Sequence, residues 1–457
     1  MLVSIRHQAQ PLARAAAGNQ RIVGFRAAGA LPLIATVALA LASTQAQALA
    51  APPWSPPQRV SKKAYRSLSS QPVALGANGY ALVAWNEGRR SAFRGARPWV
   101  ALRRPGRSAF RRRTFGRKGA RALAVGIAED ENVGILLTRK RRGGLLVRTH
   151  SPASGWAAPR RVTRARPFNS FDVARDGTAV IAWSSDRGVF ASLRPSGGAF
   201  EAPVKLAEQP RAELVAAVGV GGAVAVAWQE GGLDDHHPVV RAKPAGASDF
   251  DLPVTPPGTV GRFATDLVVT EDEVVVLTED YGPTLSVVAS IMPSEGAFEP
   301  PLTLSRAADL NGDSKLGSDS SGRLVASWQR ETRRNALPLG PDVGIRDPSG
   351  GWSAPEAVFA RPGSTLVSMD VGGGGTTAIG AFRAKPRRRS LWVSLTAPGG
   401  AFRSPKRVTV IRSRRTGAEP YVAVNDAGEA LVAWSNELFK PSRLFVSSAS
   451  SPQVEGE

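Results

Sequence analysis

The 457-residue chain contains no cysteine. That excludes a disulfide framework and a lipid-modified cysteine at a processing site, so stability has to come from buried apolar area, which a chain of this length can supply. Histidine and tyrosine are scarce, at four each. The first fifty residues lack Asp and Glu altogether, while carrying Arg6, Arg14, Arg21 and Arg26 and an apolar run from Ala27 to Ala42. The run contains Pro32 and falls short of the roughly 18 residues that a membrane-spanning helix needs. With Ala46-Gln47-Ala48 and Ala48-Leu49-Ala50 behind it, it is expected to be a cleaved secretory signal over residues 1–50. No later stretch is long and apolar enough to span a bilayer. Also missing are a nucleophile elbow, a zinc motif, a nucleic-acid module and a phosphate loop, since the glycine run Gly372 to Gly375 has no Lys and Ser/Thr behind it.

What is present is a repeat. An aromatic followed three residues later by proline and six later by Val or Leu occurs at Trp54/Pro57/Val60, Trp156/Pro159/Val162, Phe200/Pro203/Leu206, Phe298/Pro301/Leu304, Trp352/Pro355/Val358 and Phe402/Pro405/Val408. Two copies are degenerate: Phe110 has Arg113 in the proline slot, and Phe250 keeps Pro253 but has Pro256 in the aliphatic slot. From Trp54 to Phe402 is 348 residues over seven intervals, a spacing of about 50, in the range of propellers and solenoids. A second phrase places Gly six residues before Trp: Gly79/Trp85, Gly177/Trp183, Gly222/Trp228, Gly322/Trp328 and Gly428/Trp434. Segments such as Ala81-Leu-Val-Ala-Trp85 are apolar on both faces, as strands between neighbouring sheets are.

With an apolar stretch before each glycine, a third strand such as Trp99 to Leu102, and the aromatic-x-x-Pro segment as an edge, each repeat holds four strands, here lettered A to D. The chain opens on an isolated D strand and finishes on A, B and C between Tyr421 and Ser448. The expected fold is therefore all-β: a propeller, eight four-stranded blades across residues 51–450, closed by pairing of the first strand with the last blade and followed by a tail at 451–457. Seven blades is the fallback. All ten tryptophans fall in these elements, which makes packing between blades their expected role.

In such a meander the B-to-C and D-to-A connections leave on one face, and here they are the variable ones. Net charge is +22, or 22 − 4 = +18 without the four signal arginines. Basic loops lie on that face, with Arg89, Arg90, Arg330, Arg333, Arg387, Arg388, Arg389, Arg412, Arg414 and Arg415 as candidate ligand contacts. The loop Asp234-Asp235-His236-His237 is the one cluster mixing acid/base and metal-ligand types. An acid follows strand B in five repeats, at Glu87, Asp186, Glu230, Glu331 and Glu437, so these could ring a central opening. No catalytic residue, metal or cofactor is assigned.

Val422-Ala-Val-Asn-Asp-Ala-Gly-Glu-Ala-Leu-Val-Ala-Trp434 and the Gly-Gly-Trp-Ser-x-Pro segment at Gly350 resemble repeats of secreted bacterial β-propellers of the sialidase-like, BNR-type class. The resemblance spans residues 54 to 450. It departs from sialidases at the Asp-box, where Ser318-Asp319-Ser-Ser-Gly322 has the wrong spacing, and in offering no match to their arginine triad or tyrosine nucleophile. The resulting expectation is a secreted, monomeric, non-enzymatic propeller that binds an extracellular or envelope ligand, with an anionic polymer as the leading class. The alternative is a carbohydrate-active enzyme, hydrolase or lyase, working through the carboxylates at the opening.

Overall fold

The computed structural model describes residues 54–61, 65–88, 96–115, 119–140, 143–164, 170–209, 213–232, 235–280, 285–294, 296–305, 310–331, 338–359, 363–385, 388–411, 420–435 and 443–450. Within them the elements are β-strands, apart from one 3-10 turn at Val220–Gly222. The unit is clearest in Ser170–Val173, Ala179–Ser185, Gly188–Arg194 and Val204–Ala207, which pair antiparallel in chain order. The same order recurs through residues 65–114, 121–163, 262–303, 310–357 and 364–411. Each innermost strand lies beside that of the next sheet, and Tyr421–Val424 lies beside Tyr65–Leu75. This is a β-propeller.

Strand A reaches strand B through a tight turn that needs a left-handed residue, supplied for example by Gly177 at φ 89°. Strand B then runs between two sheets, so both its faces are apolar. Trp85, Trp183, Trp228, Trp328 and Trp434 are all fully buried there. Trp183 packs on Ile135 and Leu137 of the preceding sheet, and Trp228 on Val180 and Ala182. Trp85 packs on Leu431 and Ala433 of the final sheet. The residue after the tryptophan serves a second purpose that the apolar pattern conceals. Asn86 donates to the Ala122 carbonyl at 2.9 Å and accepts from its N–H at 2.8 Å, and Gln329 accepts from Leu366 N–H at 2.6 Å. Polar ends of B strands thus satisfy buried backbone groups of the next innermost strand.

Strand D differs from the expected single element wherever proline occupies its slot. Gly155–Trp156 pairs with Leu145–Ser151, the ladder lapses around Pro159, and pairing resumes at Arg160–Thr163. Trp352 and Phe402 likewise sit in isolated bridges ahead of their strands. Proline has no N–H to give the ladder. The residue after the aromatic does donate, as in Ala157 to Thr149 at 2.9 Å and Glu201 to Leu193 at 2.7 Å. Where Arg113 replaces the proline, Arg111–Thr114 forms an unbroken strand. Where Pro253 and Pro256 both occur, residues 215–243 hold three strands and the fourth shrinks to one bridge, Val240 to Val254.

The final sheet, 421–450, contributes three strands and takes its fourth from Gln58–Arg59 at the other end of the described chain. Gln58 faces Val446, while Ser55 N–H bonds the Ser448 carbonyl at 2.8 Å and Val60 N–H that of Leu444 at 3.0 Å. No helix among the described residues is long and apolar enough to cross a membrane.

Candidate functional site

Of the sequence-selected contacts, Arg89, Arg90, Asp234, Arg333, Arg387, Arg412, Arg414, Arg415 and Glu437 lie outside the described residues. The remainder divide between strands and turns. Glu87, Glu230 and Glu331 were expected just beyond strand B, but the strand continues through each of them because its partner continues: Glu87 faces Arg97, Glu230 faces His237 and Glu331 faces Pro338. Glu230 accepts from Trp228 Nε1 at 2.9 Å. Burial, with Asp313 adding, pushes the Glu331 carboxyl up. Asp186 sits in the exposed two-residue turn between Ser185 and Gly188. Arg330 pairs with the buried Asp342 at 3.4 Å.

The Asp235 to His237 segment is a self-bonded turn. Asp235 accepts from Gly232 N–H, its carbonyl lies 2.9 Å from His237 Nδ1, and the His236 ring stacks on Phe263 at 4.1 Å. Among the described residues no group of three or more His, Cys, Asp or Glu is placed to hold a metal ion.

Basic residues gather at the B-to-C end in a way that strand register makes specific. Arg121 faces Arg139 directly across one ladder, and Lys385 faces Arg388 across another. Burial and the Arg139 charge both lower the pKa of Arg121. Arg388 is exposed, and Arg389 beside it is half-buried.

The carboxylates that the structure does assemble belong to strand A, which the sequence reading passed over. Asp172 accepts from Val218 N–H at 2.9 Å, Asp266 from Leu316 N–H at 2.9 Å and Asp370 from Val424 N–H at 2.7 Å, each on the next sheet's innermost strand. Ser170 and Ser368, two residues earlier, accept from Ala216 and Val422 N–H. The innermost strand has an edge with no further strand to pair with, and Ser-x-Asp clasps it. Burial raises all three acids, Asp172 to about 6 and Asp370 to about 7, with Asp266 adding to Asp172 and Asp172 to Asp370. At the A-to-B turns Arg175 bonds Asp130 at 2.8 Å and Asp426 at 2.6 Å, joining three sheets. Glu129 beside them is pushed up to about 8, by burial first and then by Asp426.

A second arrangement missed in the sequence lies on the seam between the 65–114 and 121–163 sheets. The guanidinium carbons of Arg113 and Arg148 lie 5.3 and 5.2 Å from the centre of the Phe115 ring. Phe115 meets Trp156 edge-on at 4.5 Å, and Trp156 meets His150 at 5.0 Å. His150 Nδ1 is 2.6 Å from the Tyr80 hydroxyl. Burial, then Arg104, lowers the His150 pKa, and Arg113 adds to this. The available signal was Arg113 itself, the one arginine in a proline slot.

The strand pairing defines a β-propeller. No protein-family model matches the chain, and no curated protein matches it. Solved structures similar to it include the β-propeller domain of the Trilobed protease from Pyrococcus furiosus, at 12% identity and TM-score 0.48 over 76% of this chain and 98% of that one. An ulvan-lyase polysaccharide lyase is similar at 10% identity and TM-score 0.45 over 85% and 95%. YCF48 bound to D1 peptide is similar at 11% and 0.42 over 73% and 92%. The assignment of fold rests on the chain's own strand pairing.

Proposed function

We propose that this chain is an exported, non-enzymatic propeller of eight blades, closed by its first strand, that binds an anionic polymer of the cell envelope or surroundings through the B-to-C and D-to-A end. One observation carries the reading: basic residues gather at that end, with Arg121 opposite Arg139 across one ladder and exposed Arg388 beside Arg389 in another sheet. Basic side chains concentrated at one end of a molecule give a positive field that favours an anion. The buried carboxylates of the innermost strands accept backbone N–H groups, so they support a structural role rather than hydrolysis of a sugar.

The test is retention on heparin resin along a salt gradient, comparing wild type with Arg121→Ser, Arg139→Ser, Arg388→Ser and Arg389→Ser combined. Charge contacts spread over a surface are screened within about 8 Å at physiological ionic strength. The variant should therefore elute at clearly lower salt. Identical elution of the two proteins would remove this face as the binding surface.

A further inference from the structure

The seam around Phe115 sits on different elements from the B-to-C face and has its own chemistry. Arg111–Thr114 is the outermost strand of its sheet and is exposed along its whole length. Arg148 comes from the neighbouring sheet, where it is half-buried. Its Nε is buried without a hydrogen-bond partner. Two guanidinium groups thus meet at one ring from two sheets, and among the described residues neither has a carboxylate partner.

Attraction to a shared aromatic ring is weak at exposed sites. That holds the arginine stems in place but leaves the mutual repulsion of the charges uncompensated. His150 does not relieve it, because it is an imidazole whose protonation the surroundings disfavour. The missing component is an anion. Guanidinium forks from two sheets suit a group with several acceptor oxygens, because each fork can take two of them. A single carboxylate presents only two oxygens in one plane.

We propose that the Arg113–Arg148 seam is a binding site for a tetrahedral oxyanion, the sulfate or phosphate ester of an anionic polymer. Its residues are distinct from those tested above. Arg113 and Arg148 grip the ester from either sheet, and Phe115 and Trp156 form the apolar floor that keeps the forks orientated.

Titration calorimetry of the full chain tests this with three probes of similar length: a heparin-derived tetrasaccharide, a short linear polyphosphate and an uncharged dextran oligosaccharide. Wild type should bind one or both anionic probes and not the dextran. Binding of the tetrasaccharide alone marks sulfate esters as the source, binding of polyphosphate alone marks phosphate, and both outcomes support the site. Arg113→Gln and Arg148→Gln should each weaken the bound probe at least tenfold, with melting temperatures at or above wild type because a like-charge contact is relieved. If Arg148→Gln does not fold, Arg113→Gln, on an exposed strand, decides alone. Wild-type affinity in these variants, or equal binding of dextran, overturns the site. If affinity falls in Arg388→Ser/Arg389→Ser and not in the seam variants, the seam proposal fails while the B-to-C reading stands.

Discussion

Glu129 is the residue in which burial most changes chemistry. Its carboxyl is pushed up to about 8 by burial, then by Asp426, while Arg175 offsets part of the rise. Its Oε2 is buried without a hydrogen-bond partner among the described residues. The folded state therefore holds a proton, between its ordinary value of 4.5 and about 8, that the unfolded chain releases. Protons bound only by the folded state mean that stability is present at the acidic end of this window and is lost as pH rises through it. Asp172 and Asp370, raised to about 6 and about 7, act in the same sense. We expect the melting temperature to fall from pH 5 to pH 8, and to fall less in Glu129→Gln, which carries no titrating group. Parallel melting curves across pH for the two proteins would show that Glu129 does not hold the proton.

At the scale of the element, strand B is where sequence and structure agree most closely. The Gly-to-Trp spacing of six residues marks its start and its core, since only a glycine-bearing turn and a two-sided apolar strand produce that phrase. Trp183 is buried against Ile135, Leu137 and Phe171, and stacks on Phe190 at 5.8 Å. Trp183→Ala should behave as a core truncation costing about 3–5 kcal/mol, read by urea denaturation, while the folded fraction elutes from heparin as wild type does. Loss of binding at an unchanged denaturation midpoint would instead make it a ligand contact.

Less of the polar structure was legible, for a physical reason. Asn86, Gln329, Ser170 and Asp172 act by reaching backbone groups of the next sheet. Their partners lie about 36 to 46 residues away and are not side chains, so no pairing of residue types betrays them. The acids after strand B drew notice because they recur. Recurrence here reflected a strand continuing to its hairpin, as Glu87 opposite Arg97 shows. Arg113 was visible as a break in the proline pattern, but its meaning depends on Arg148 and Phe115, which only the packed sheets bring beside it.

At the scale of the whole molecule, the packing that joins the two ends of the chain should control cooperativity. Without residues 54–61 the strand Leu444–Ser450 would lose the partners of its outer edge: Gln58, the Ser55 and Val60 backbone donors, and the Ser61 hydroxyl that accepts from Leu444 N–H at 2.8 Å. Buried Val60 would also leave the cluster that holds Trp85 against Leu431 and Leu444. An unpaired, largely buried strand edge is both a loss of stability and a template for association with other chains. Deleting residues 54–61 should therefore lower the melting temperature sharply and shift the protein towards oligomers in light scattering. Appending the same eight residues after Ser450 through a flexible linker should restore both, because the strand needs only to be delivered to the edge and not to enter from one particular terminus. A deletion that melts as wild type and stays monomeric would show that the other sheets hold the ring without this strand, and the proposed closure would then have no energetic role.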